Sequence, residues 1–259
     1  MISLRGLTTE NARKVRQQGH DDAFEFAQLI DVSQTYLNDL KAKKDVVDKS
    51  GDAHSVKSGK KKWQIFLYGY NRFISDESFQ SMNGIGQLLA ECINVFPVSF
   101  NDYLIDKNKY KINLKQPMMA LKDKLQNKNR VKSFFSKAMF NFGEVKYLTV
   151  KDDNVFHVFL NNDVNDVFAN YLIVENSKKQ SKVSFDAQKV IFKYKDLNLA
   201  ELEMRNDSYL HYREIRFNML KPRAMALLFE KIKLEQKYKE NIFVYGNAHK
   251  TFGRWSDSS

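Results

Sequence analysis

The sequence predicts a mixed α/β fold, and three observations point that way. With 259 residues, 43% hydrophobic and 13% aromatic, the chain can bury a substantial core as one large domain or two packed ones. In the first half, apolar residues recur at three-to-four spacing in several stretches, the mark of amphipathic helices. From about residue 144 they alternate or form short β-rich blocks instead. The change of texture sets an expected division into 1–142 and a strand-rich 143–259 with a closing helix.

Taken in order, residues 21–40 are expected to be helical. Ala23, Phe24, Ala27 and Ile30, then Tyr36, Leu37 and Leu40, follow the acidic start Asp21-Asp22 at helical spacing. Next, KDVV (44–47) and AHSVK (53–57) flank DKSGD (48–52), which predicts two short strands around a glycine turn. The run KKKWQIFLYGYNRF (60–73) suits either strand or helix and is assigned to helix. SMNGIGQLLAECINVF (81–96) predicts a helix from near Ser81 that stops before Pro97. From Pro117 to Phe140, the residues Met118, Leu121, Leu125, Phe134, Phe135 and Ala138 form the apolar side of one basic helix. Strands follow at VKYLTV (145–150), at VFHVFL (155–160) after the turn Asp152-Asp153-Asn154, and at YLIV (171–174), KVIFKY (189–194) and AELEMR (200–205). LKPRAMALLFEKIKLEQKY (220–238) reads as the closing helix, with Pro222 near its start.

Charge narrows the function. The formal net charge is +11, and it is concentrated. Residues 41–72 hold nine Lys/Arg against three Asp, and residues 107–137 hold ten against one. Two such tracts favour a polyanion, most simply nucleic acid. A lysine-rich background composition fits them as well. The single cysteine, Cys92, excludes a disulfide framework and any multi-thiolate metal site, and its apolar run assigns it to the core. No signal peptide opens the chain and no apolar run nears ~18 residues, so a soluble cytoplasmic protein is expected. No Walker loop, GxGxxG, HExxH, CxxC pair or nucleophile elbow occurs, so motors, zinc hydrolases and serine hydrolases lose support.

The chemistry sits in the hairpin at 44–59. Antiparallel pairing of its two runs brings Asp45 near Lys57. Alternation puts Ser55 and Lys57 on one face, His54 and Val56 on the other. A carboxylate and a lysine so placed suit phosphodiester hydrolysis. The acid holds Mg²⁺, which neutralises phosphate and lowers the pKa of an attacking water. The lysine positions or deprotonates that water, or stabilises the pentavalent charge. An exposed cross-strand ion pair worth under ~1 kcal/mol fits the same two residues.

On these residues the chain resembles the PD-(D/E)XK nuclease superfamily, type II restriction endonucleases in particular. Their signature is an acid, a gap, then acid–X–Lys on the next strand. Here it reads Asp45, nine residues, then Ser55-Val56-Lys57. The resemblance covers about residues 19–100 and implies a restriction-endonuclease-like nuclease core followed by a strand-rich DNA-reading half. It implies Mg²⁺ as cofactor, held by Asp45, the carbonyl of Val56 and Glu25. Ser55 stands where the second carboxylate normally sits. Glu25, in GHDDAFEFA, is the residue offered in its place, because the family's first core helix often contributes a glutamate. Gln64 follows the lysine as a supporting glutamine does in some relatives.

A rival constellation is Glu201-Leu202-Glu203, whose acid–X–acid spacing some restriction enzymes use, with Asp186 or Asp196 upstream. Its neighbours Arg205, Asn206, Asp207, His211, Arg213 and Arg216 suit base reading better. Arg fits guanine, Asn fits adenine, and Asp accepts from cytosine. A polar surface strand–turn–strand is the structural alternative. Lys122, Lys124, Lys128, Arg130, Lys132 and Lys137 of the basic helix are expected to touch phosphates. A DNA-binding protein without catalysis also fits, and monomer and homodimer both stay open.

Overall fold

The switch between helical and strand periodicity is realised over residues 9–32, 44–181, 184–206 and 208–255, which the computed structural model describes. Helix α1 (Thr9–Leu29) is followed by the hairpin β1 (Val46–Val47) and β2 (Ala53–Lys57). Strand β3 (Lys62–Gly69) runs into the helices α2 (Tyr70–Ser75), α3 (Glu77–Gln80), α4 (Ile85–Asn94), α5 (Phe100–Ile105), α6 (Lys107–Leu125) and α7 (Lys128–Phe140). Then come β4 (Tyr147–Asp152), β5 (Val155–Leu160), α8 (Asn161–Tyr171), β6 (Ile173–Asn176), β7 (Lys189–Tyr194), β8 (Leu197–Arg205) and β9 (Glu214–Leu220). Helix α9 (Lys221–Lys231) and the strands β10 (Leu234–Lys239) and β11 (Ile242–Tyr245) close the series.

The mixed α/β class holds. The division does not fall at 142, because strand pairing joins distant segments. The first compact unit takes the described residues of Met1–Lys60, Met139–Val164 and Ile232–Ser259. The second takes those of Lys61–Ala138 and Asn165–Lys231.

In the first unit a six-stranded sheet runs β1-β2-β4-β5-β11-β10. The pairs β2–β4 and β5–β11 are parallel and the rest antiparallel. Helix α1, with Ala23, Phe26 and Ala27, and Ile30 just after it cover one face against Val46, Val56, Tyr147, Phe156, Val158, Ile242 and Val244. The predicted stripe is therefore shifted. Phe26 is buried while Phe24 is half-exposed, since only the former faces the sheet. Helix α1 also starts earlier than expected and ends at Leu29, and the expected continuation through Tyr36, Leu37 and Leu40 lies outside the described residues. In the hairpin turn, Asp48 Oδ1 accepts the N–H groups of Ser50 (2.8 Å) and Asp52 (3.0 Å). Gly51 supplies the left-handed φ of 82° that this turn needs.

The second unit holds an antiparallel sheet, β3-β9-β8-β7-β6. Helix α6 lies on β6 and β7, α4 on β9, α2 on β3, and α9 on β8 and β9. An aromatic cluster fills the core: the Phe134 ring is 5.1 Å from Phe217, 5.8 Å from Phe192 and 6.3 Å from Phe66. Helix α4 approaches α3 so closely that a Cβ on Gly86 would sit 2.6 Å from the Phe79 carbonyl oxygen. Cys92 is buried in α4 as expected. Among the described residues no helix is long and apolar enough to cross a membrane.

Three helix assignments change. KKKWQIFLYGYNRF is strand β3 and then α2. A bulge at Ile65 breaks its alternation, and β9 supplies the ladder that its aromatic residues suit. The basic helix is two helices, α6 and α7. Helix α6 begins at Lys107 and runs through Pro117. The break after Leu125 is capped by Asn127 Oδ1, which accepts from the N–H groups of Asn129 and Arg130. The closing helix stops at Lys231, and LEQKYK becomes the exposed, charged edge strand β10.

Candidate functional site

Asp45 precedes β1 and lies beside the end of β2. Its N–H donates to the His54 carbonyl at 2.9 Å, which extends the antiparallel pairing by one residue. Its side chain then turns towards the next residues of β2. Oδ2 accepts the Val56 N–H at 2.7 Å and the Ser55 hydroxyl at 3.4 Å, and it lies 3.8 Å from Lys57 Nζ. In a strand the N–H and C=O of one residue point to the same edge, so the Val56 carbonyl also faces the Asp45 side. The hairpin thus gathers Asp45, Ser55, Val56 and Lys57. Asp45 is 33% and Lys57 28% exposed, whereas Ser55 is buried.

One carboxylate with a neighbouring carbonyl is a hard-oxygen set of the kind Mg²⁺ takes when waters and phosphate oxygens complete its octahedron. Among the described residues, no group of three or more His, Cys, Asp or Glu is arranged to hold a metal ion. Any metal held here relies on solvent and substrate for most of its ligands.

Glu25 does not join this set. Its Oε2 accepts from Lys151 Nζ at 2.6 Å, and the same ammonium bonds Asp22 Oδ1 at 2.8 Å. Strand register puts Lys151 on the α1 face with Val56, while alternation puts Asp45, Ser55 and Lys57 on the opposite face. The expected ligand is therefore an ion-pair partner that ties α1 to β4. Burial works against ionised Asp22, but hydrogen bonds from Lys151 and Ser58 outweigh it and hold its pKa below the usual value. Burial likewise opposes the charge on Lys151, and its two carboxylates overcome it. Gln64 belongs to the other sheet, where it is exposed on β3 opposite Asn218.

His54 is structural, as its alternation away from Lys57 predicts. Its ring is buried between Tyr147 (centroids 4.7 Å apart) and Phe26 (5.0 Å). Nε2 lies 3.3 Å from Asp48 Oδ2 and Nδ1 lies 2.9 Å from Thr149 Oγ1. A carboxylate only accepts, so in the neutral ring Nε2–H donates to Asp48 and Nδ1 accepts from the threonine hydroxyl. Burial lowers the His54 pKa, and Asp48 offsets this only in part.

The sign of the pH effect follows. Below about pH 6.5 the unfolded chain takes up a proton that folded His54 refuses, so stability falls as pH drops, by ~1.4 kcal/mol per unit. The loss continues down to the lowered folded value. Urea denaturation at pH 7.0 and 5.5 is expected to show wild type losing more stability than His54→Gln. Equal losses would assign the acid sensitivity to other groups.

The rival acids are already neutralised. Lys189 Nζ lies 2.9 Å from Glu201 and 2.8 Å from Glu203, and Arg216 donates to Glu203. Burial opposes ionised Glu203, yet Lys189 and Arg216 hold its pKa below the usual range. Asp186 accepts from the Lys179 N–H, and Asp196 sits in the turn before β8. Neither contributes to a metal set with Glu201 and Glu203.

The proposed reading surface is partly committed as well. Arg216 is held by Glu203, Arg205 is opposite Glu214 in register, and His211 Nδ1 lies 2.9 Å from Glu214. Asn206 is buried, Arg213 donates to Asn94, and Asp207 lies outside the described residues. Of the basic-helix residues, Lys124 donates to the Asn83 carbonyl, and Lys122, Lys132 and Lys137 pair with Asp123, Asp166 and Asp76. Lys137 is buried. Lys128 and Arg130 make no ion pair among the described residues.

The partnership of Lys151 with Glu25 was not legible in the sequence, since the two are 126 residues apart. Compared with known protein families, curated proteins and solved structures, the chain matches none.

Proposed function

We propose that the protein is a Mg²⁺-dependent, sequence-specific endonuclease of double-stranded DNA, of type II restriction character. The observation that carries this reading is the Asp45–Val56–Lys57 arrangement. There a part-exposed carboxylate is anchored by the Val56 N–H at 2.7 Å with an ammonium 3.8 Å away. When bound, Mg²⁺ would neutralise the phosphate and lower the pKa of an attacking water. Asp45 and the Val56 carbonyl would hold it. Lys57 would position that water or stabilise the charge that develops on phosphorus. Lys128 and Arg130 would contact backbone phosphates, and Arg205 would take part in reading the duplex.

Incubating several plasmids with the protein, with Mg²⁺ or with EDTA, tests the proposal. Discrete fragments that need Mg²⁺ are the expected result. A second reading, a sequence-specific DNA-binding protein without catalysis, is favoured by Ser55 in the second acid's place and by the engagement of Glu25 with Lys151. Sequence-dependent gel retardation with no cleavage would select it.

Ser55→Asp probes the metal directly. The serine is buried with its hydroxyl 3.4 Å from Asp45, so the variant sets two carboxylates side by side. Their repulsion is expected to lower Tm in EDTA, and Mg²⁺ should raise it more than in wild type. At a hundred times Kd, bound metal contributes ~2.7 kcal/mol. An equal Mg²⁺ effect on both proteins would remove Ser55 from the metal site.

A further inference from the structure

The second unit contains a concavity that the nuclease reading does not use. It has a volume of about 620 Å³ and is lined by Gly69, Tyr70, Asn71, Arg72, Asn94 and Arg213. Two of its six residues are arginines and none is acidic. We propose that this concavity is a binding pocket for a phosphate group.

The charge balance supports an anion. Arg72 Nη2 lies 3.2 Å from Asp76 Oδ2, but the same oxygen is 2.8 Å from Lys137 Nζ, so one carboxylate serves two cations. Arg213 meets no carboxylate among the described residues. Its Nη2 donates to Asn94 Oδ1 at 3.1 Å, and its Nε is buried with no hydrogen-bond partner among the described residues. A guanidinium can only donate, so Asn94 presents its oxygen to Arg213, and its NH₂ is left to donate elsewhere. The pocket therefore offers guanidinium and amide donors with a net positive charge, which suits the tetrahedral oxygens of phosphate.

Arg213 lies in the turn that leads into β9 and holds φ at 62°, a conformation that glycine adopts without strain. The pocket does not depend on the cleavage reading, because neither Asp45 nor Lys57 belongs to it.

Titration calorimetry of the full chain with sodium phosphate at constant ionic strength tests the pocket. Saturable one-to-one binding is expected. Arg72→Gln and Arg213→Gly should each weaken it about tenfold or more, whereas Lys107→Gln should not. Arg213→Gly keeps the variant foldable, since glycine accepts that φ without strain. Competition by a short plain oligonucleotide would identify a backbone phosphodiester as the source of the phosphate. Competition only by its 5′-phosphorylated form would identify a terminal phosphomonoester, and both results support the pocket. No binding, or binding that Arg72→Gln and Arg213→Gly leave unchanged, overturns it.

Discussion

Asp45→Ala and Lys57→Ala are each expected to slow Mg²⁺-dependent cleavage at least about a thousandfold, ~4 kcal/mol in barrier, with DNA affinity almost unchanged. Both side chains sit where the proposed chemistry occurs, and neither is placed to read bases, so their removal acts on the transition state. Stability should change little. The pair is 28% and 33% exposed, and such pairs are worth about 1 kcal/mol or less. Asp45 also anchors the Val56 N–H, so Asp45→Asn separates the two roles. It retains an acceptor oxygen while removing the charge, and it should be as inactive as the alanine variant. Single-turnover rates on a cleaved plasmid provide the measurement. Activity within about tenfold of wild type in either alanine variant would end this assignment. Glu201 and Glu203 would then be weak substitutes, because Lys189 and Arg216 already neutralise them.

Phe134→Ala is expected to destabilise the second unit by ~3–5 kcal/mol, the usual range for emptying a buried phenylalanine site. The ring is fully buried and touches aromatic side chains from three strands, Phe66 on β3, Phe192 on β7 and Phe217 on β9. Rigid neighbouring rings cannot collapse far into the space, so the cavity term should persist. Urea denaturation followed by near-ultraviolet circular dichroism would report it. A loss under about 1 kcal/mol would mean that the cluster relaxes and that packing at Phe134 does not hold the helices to the sheet.

By itself the sequence determined whatever depends on near neighbours. The hairpin at 44–57 is one such feature, because Asp48 and Gly51 write its turn and a period of two separates Ser55 and Lys57 from His54 and Val56. Its pairing of Asp45 with Lys57 follows from the same short range. So do the mixed α/β class, the buried Cys92 and the strands β4, β5, β7 and β8. Tertiary structure alone decided the rest. KKKWQIFLY became β3 only because β9 offers it a ladder, and LEQKYK became β10 only because β11 does. Glu25 was lost to Lys151, 126 residues away, for a related reason. A charged side chain settles on whichever opposite charge the fold brings within a few ångströms, and spacing along one chain carries no record of a partner more than a hundred residues away.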